Sequence, residues 1–429
     1  MMKGKCLVSL SVLFLFLFPG LVSARNLNVL LPGLLNEHER IKAAEARRDS
    51  AMHQLREAMG GWYPKVDLTV QGGQEWTRQA TNTTTVDFKN NESLRATQLL
   101  TDFGLTQSAV DRAGEVLEHA KAALDAIRQD VMLEGIMAYL YIIRAREKLH
   151  YARQSEKNIK EQTGMEEALV ERGAGLSSDV LQTKSQLAGA RALRVSVEGE
   201  LAIAKHRFKT VYKKDPTGEE IKAFAIPQLP SIKIPETLPE AIETAMENNP
   251  QVIMSQYTIK ITDHEVDARK ARYYPRLNLY SEANRKMDDV GVPGDRLDAV
   301  VGMELTYNLY NGGADKAGVM AALSNITAAQ NGLVETKYIV EERVKNAWQN
   351  HLTSREQHKF LENQANIMGE FLELARKERK LGHRTLLDVL TGEVNYINSV
   401  SLSVTARIDT IVAAYNILYA MGQLKLDAF

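Results

Sequence analysis

The chain has 429 residues with 53 basic and 54 acidic side chains, a net charge of −1, so no overall field draws it to nucleic acid or acidic lipid. Its only cysteine, Cys6, lies in a stretch that reads as a leader. Disulfides, thiolate metal sites and cysteine nucleophiles are thereby excluded from the rest of the chain.

Residues 1–24 have the order of a cleaved signal peptide: Lys3 and Lys5, an apolar run over 7–18, then Val22-Ser23-Ala24 with small residues where cleavage occurs. The expected mature chain begins at Arg25. The apolar run falls well short of the roughly 20 residues that span a bilayer. No later segment is long and apolar enough either, so any membrane crossing has to be made by strands.

The remaining chain is written twice, as repeat 1 over 25–220 and repeat 2 over 240–429, with a Pro-rich linker over 221–239. Trp62-Tyr63-Pro64-Lys65-Val66-Asp67-Leu68 returns 211 residues later as Tyr273-Tyr274-Pro275-Arg276-Leu277-Asn278-Leu279. Arg172-Gly173-Ala174-Gly175-Leu176-Ser177-Ser178-Asp179-Val180-Leu181 returns 209 residues later as Leu381-Gly382-His383-Arg384-Thr385-Leu386-Leu387-Asp388-Val389-Leu390. Two landmarks at nearly one spacing mark two copies of a large unit.

Each copy opens on helix. Residues 34–59 are helical in pattern. In the second copy Thr237-Leu238-Pro239-Glu240 starts a helix that Asn248-Asn249-Pro250 punctuates before a further helical stretch over 251–273. Strand pairs are expected near 65–101 and 276–310. Val66, Leu68 and Val70 alternate with Asp67, Thr69 and Gln71, and Val301, Met303, Leu305, Tyr307 and Leu309 alternate with polar residues or glycine. Such alternation fits a half-buried soluble sheet or a lipid-facing one. The leader, the absence of a globular domain to pack against, and aromatics at the strand ends (Trp62, Tyr63, Trp76, Tyr273, Tyr274, Tyr307 and Tyr310) favour a membrane belt.

Long helices are expected over 104–171 and 313–380, each free of proline and about 100 Å long at 1.5 Å per residue. Apolar stripes such as Val116, Ala120, Ala123, Leu124, Ile127 and Val131 step by threes and fours, as packed coiled-coil helices require. Returning helices are expected over 176–213 and 385–422.

Nothing reads as a catalytic constellation, and no cofactor or metal is expected: His351 and His358 lie seven apart without a nearby carboxylate cluster. At the two turns, Gly173 and Gly382 end long helices, and Asp179 and Asp388 fall in the first turn of the next. Thr385 with Asp388 has capping-box spacing. These residues either build a tight tip alone or, if the helices form a tube, also face its lumen or a neighbouring subunit.

The duplicated strand entry, Leu238 with Asn248-Asn249-Pro250, Leu309-Tyr310-Asn311-Gly312-Gly313 and the two Asp-Val-Leu tips together resemble the TolC family of outer-membrane export ducts. The resemblance covers essentially the whole mature chain. It implies a mainly α protein with a small β part, assembled as a homotrimer. A 12-stranded β-barrel in outer-membrane lipid continues as a periplasmic α-helical barrel. It further implies a passive exit duct, no enzyme, working with a periplasmic adaptor and an inner-membrane ABC or RND transporter. Type I protein secretion is favoured over small-molecule efflux, because no lipid-bearing cysteine opens the mature chain.

By position, the resemblance makes Arg384 the latch arginine of a closed entrance, with Ser178 and Asp179 its partners, and Asp388 the acid of a lumenal ring. The second acid of that ring falls on Thr391. The family's tip tyrosine falls on Arg379, for which a pair with Asp179 is expected. Gly173-Ala174 and Gly382-His383 become the adaptor-docking tips. A periplasmic coiled-coil adaptor is the competing class, but it needs only one helical hairpin and no duplicated strands.

Overall fold

The computed structural model describes residues 27–78, 84–227, 234–287 and 294–426. The expected leader, Cys6 and Pro230 lie outside the described residues. In chain order the elements are α1 (Leu27–Glu37), α2 (Glu39–Met59), β1 (Lys65–Arg78), β2 (Thr84–Thr101), α3 (Leu105–Glu171), α4 (Ser177–Tyr212), α5 (Gly218–Ala223), α6 (Leu238–Asn248), α7 (Pro250–Ala271), β3 (Arg276–Met287), β4 (Asp295–Thr306), α8 (Ala314–Lys380) and α9 (Leu386–Ala420).

The two long helices, α3 and α8, are 67 residues each. They stand beside two columns made of shorter helices set end to end. Below mid-height α3 packs on α4 and α9, and α9 on α8; above it α3 packs on α2 and α7, and α7 on α8. The sideways order is therefore α4 with α2, then α3, then α9 with α7, then α8. The composite columns match in length, with 36 and 21 residues in one and 35 and 22 in the other.

Where α9 ends and α7 begins, the Asn249 side chain serves both helices. Its amide donates to the Ala420 carbonyl at 2.8 Å, and its oxygen accepts from Gln251 N–H at 2.9 Å. Gln129 of α3 adds a bond to the Gly422 carbonyl at 3.1 Å. These side chains satisfy groups that a helix end leaves orphaned. In the first copy the equivalent joint is His38, which lies 211 positions before Asn249, the offset of the strand entries. Its Nδ1 accepts from Arg40 N–H at 3.2 Å and caps α2. The helix expected over 34–59 is thus interrupted at His38, and α1 precedes it. Asp130 of α3 ties the two joints together, bonding Tyr419 of α9 at 2.6 Å and Arg40 of α2 at 3.3 Å. Burial first, then the bond to Asp130, pushes the Tyr419 hydroxyl up to about 12, so it remains a donor.

The main apolar core surrounds these joints, with Leu31, Ile136, Tyr139, Phe208, Val340 and Tyr415 among its members. The linker expected over 221–239 is helical at both margins, in α5 and α6. Its start is strapped to α3: Tyr139 donates to the Ala225 carbonyl at 2.8 Å, and Arg146 to those of Ile221 and Phe224 at 2.8 and 2.7 Å.

The four strands form one antiparallel sheet in the order β1-β2-β3-β4, leaving β1 and β4 as unpaired edges. Pairing puts Val66, Leu68, Leu94, Leu279, Val301 and Met303 on one face. Among the described residues nothing covers that face; Leu68 is 70% and Val301 75% exposed. The opposite face is polar. On it Arg95 lies over the Tyr280 ring at 5.0 Å and pairs with Glu304 at 2.6 Å and Glu282 at 3.7 Å, crossing β2 to β4. The fourth strand is shorter than the alternation suggests. It stops at Thr306 opposite Arg276, because its partner ends at Pro275, so Tyr307, Leu309 and Tyr310 lie in the exposed connection to α8.

Candidate functional site

The far ends of the two helical hairpins are built alike. Gly173 and Gly382 adopt φ of +75° and +78°. Each closes its helix with a pair of reversed bonds, from Gly173 to Val170 and Ala174 to Leu169, and from Gly382 to Arg379 and His383 to Glu378, at 2.9–3.0 Å. The tip residues Gly173, Ala174, Gly382 and His383 are all exposed. Thr385 caps α9 by accepting from Asp388 N–H at 3.2 Å, which leaves the Asp388 carboxylate at the surface. Ser178 and Asp179 occupy the first turn of α4, where Leu176 provides no side-chain cap.

Two of the expected pairings are absent within one protomer, because both arginines take partners elsewhere. Asp179 begins α4, the outermost column on one side, whereas Arg379 and Arg384 belong to the α8–α9 hairpin on the other. Arg379 instead reaches across to Glu166 of α3 at 3.1 Å. Arg384 folds back on its own hairpin, bonding Glu378 at 2.6 Å with its guanidinium 5.1 Å from the Phe371 ring centre.

Sequence reasoning missed a second group. Glu166 and Glu393 are buried carboxylates, and Glu393 accepts from Asn158 of α3 at 2.8 Å and from Arg376 of α8. A signal for both was present. Glu393 interrupts the core stripe Leu386, Leu390, Ile397 and Val400, and Glu166 continues the stripe Ala152, Ser155, Ile159 and Thr163. An acid at a core position of a coiled-coil stripe calls for a partner from another helix.

At the other end of the molecule, Trp62, Tyr63, Tyr273, Tyr274, Tyr307 and Tyr310 ring the junction of sheet and helices, and Trp76 stands near the distal end of β1. All seven are exposed in the single chain. Among the described residues no helix is long and apolar enough to cross a membrane, and the sheet carries a large apolar face without cover.

Residues 30–211 and 241–423, one segment in each repeat, match the family model described as outer membrane efflux protein. The chain belongs to this family. It is 23% identical to the outer membrane efflux protein BepC of Brucella suis over 366 residues, covering 83% of this chain and 77% of that one. It is 20% identical to the alkaline protease secretion protein AprF of Pseudomonas aeruginosa, over 84% and 77% of the two chains. Its fold matches the CmeC outer membrane channel of Campylobacter jejuni with a TM-score of 0.79 at 16% identity, over 93% and 87% of the chains. The protein is an outer-membrane efflux channel of the TolC type, with a duplicated strand-pair and long-helix repeat.

Proposed function

We propose that three copies close into a 12-stranded barrel and a helical tunnel, which serves as the passive exit duct of a tripartite protein-secretion machine. The observation that carries this is the matching of the protomer's two flanks. Strands β1 and β4 are open edges, which lipid does not tolerate, and each can pair with the other in the next copy. On the same two sides, α8 exposes Phe360, Ile367, Leu374 and Leu381 at intervals of seven, and α4 exposes Leu181, Ala188, Val195 and Ala202, also at intervals of seven. Both rows keep the seven-residue spacing of a coiled-coil face. Such spacing suits a left-handed seam between neighbouring copies.

In the closed ring the apolar sheet face meets lipid between the aromatic residues, and the polar face with Arg95, Glu282 and Glu304 lines the lumen. Arg384 of one copy stands beside Ser178 and Asp179 of the next as a latch, supported from within by the Arg379–Glu166 pair. Asp388 supplies a single acidic ring, because Thr391 takes the place of a second. An adaptor bound at Gly173-Ala174 and Gly382-His383 untwists the tips, and an inner-membrane ABC transporter drives the substrate.

The relation to AprF supports protein secretion, and the relation to BepC supports the second reading, an efflux duct served by an RND pump. Deleting the gene separates them. Loss of a protein from the culture medium is the expected result, whereas accumulation of small toxic compounds with unchanged secretion would favour efflux. The latch is tested in planar bilayers: Arg384→Ala should raise single-channel conductance, and a conductance equal to that of the parent would remove Arg384 from the gate.

A further inference from the structure

Two carboxylates lie near the tips where apolar side chains belong, 1% exposed at Glu393 and 7% at Glu166. They bridge the two helical hairpins reciprocally. Glu166 belongs to the α3–α4 hairpin and takes Arg379 from the other; Glu393 belongs to the α8–α9 hairpin and takes Asn158 from the first at 2.8 Å. Glu393 is the more deeply set, and with Arg376 it joins three helices at one point.

The apolar packing around it is thin. Ile159, Leu187, Ala190, Leu386 and Leu390 form one small cluster, and Leu372, Ala375 and Val389 form another. Apolar contact is non-directional and permits a helix to slide or rotate on its neighbour. A buried, hydrogen-bonded carboxylate admits one register, since any other leaves it unpaired in a dry environment.

We propose that Glu393 is a positioning residue for the channel entrance, a deepening that rests on the duct reading above. By accepting from Asn158 it sets the register of the second hairpin against the first. It thereby sets the height and bearing of Asp388, five residues further down the same helix, and of Arg384 beyond it. The bond to Arg376 plays a lesser part, because α8 and α9 are already joined by the 381–385 turn. Beside the non-directional apolar contacts of Ile159 with Leu386 and Leu390, the link to Asn158 is the directional bond from Glu393 to repeat 1.

The test uses full-length protein reconstituted in planar bilayers, with heat resistance of the trimer in detergent measured in parallel. Asn158→Asp sets a like charge against Glu393 and should raise single-channel conductance several-fold, with Asn158→Leu intermediate, while Arg376→Gln stays near the parent. Trimer heat resistance should stay close to parental in all three. Parental conductance in both Asn158 variants would overturn the proposal, as would a loss of heat resistance without a change in conductance, the mark of a purely structural bond. A rise in Arg376→Gln equal to that in Asn158→Asp would also overturn it. If the unmodified protein forms no conducting trimer, the duct reading itself falls, an outcome distinct from the others.

Discussion

Gly422 and Gly382 both close a helix in the left-handed region, at φ of +73° and +78°, but their surroundings differ. A Cβ on Gly382 would meet nothing within 4 Å, whereas one on Gly422 would press on the Asn248 carbonyl and stand 2.8 Å from the Asn249 Cα. Gly382→Ala should cost only the backbone penalty, about 1–2 kcal/mol. Gly422→Ala should cost clearly more, because the end of α9 must also back away from the junction of α6 and α7 and loosen the bonds from Asn249 and Gln129. Thermal unfolding of the two variants compares them directly, and equal losses would show that the joint yields easily.

For the elements, the joint is the informative case, since its two copies differ in how plainly they are written. Asn249-Pro250 announces a helix start through a capping amide and a proline at the first position, and the structure begins α7 there. His38-Glu39 performs the same task without either signal, and the periodic pattern runs through it unbroken. The proline-free runs and the alternation of β1 gave the long helices and the sheet for the same reason: both are local patterns. The buried carboxylates escaped because their partners are distant in sequence, 213 residues apart for Glu166 and Arg379 and 235 for Asn158 and Glu393. The ends of β4 escaped because a strand stops where its neighbour stops, which alternation cannot show. Asn249→Ala should cost about 1–2 kcal/mol from the lost cap, with the orphaned Ala420 carbonyl adding to it. Hydrogen exchange should locate the loss at the last turn of α9 and the first turn of α7.

The whole molecule cannot be complete as one chain, since two sheet edges and two coiled-coil faces are left open on opposite flanks. Replacing Phe360, Ile367 and Leu374 together by serine should leave helix content largely intact by circular dichroism, because these side chains face away from the protomer's own core. Light scattering in detergent should then report monomers in place of trimers. A trimer that survives the triple replacement would mean that the strands alone hold the ring, and that the helical seam forms only after the barrel has closed.

The breaks at mid-height give the tunnel an uneven stiffness. Two of the four columns in each protomer, α3 and α8, carry an unbroken ladder of hydrogen bonds from the sheet to the tips; the other two are severed halfway and pinned only by side chains. In the untwisting proposed above, the lower segments of the interrupted columns would turn at these joints, while α3 and α8 would have to twist along their whole length. The protomer would then work as a shaft jointed at its waist. Its lower mouth would turn open while the sheet keeps its shape.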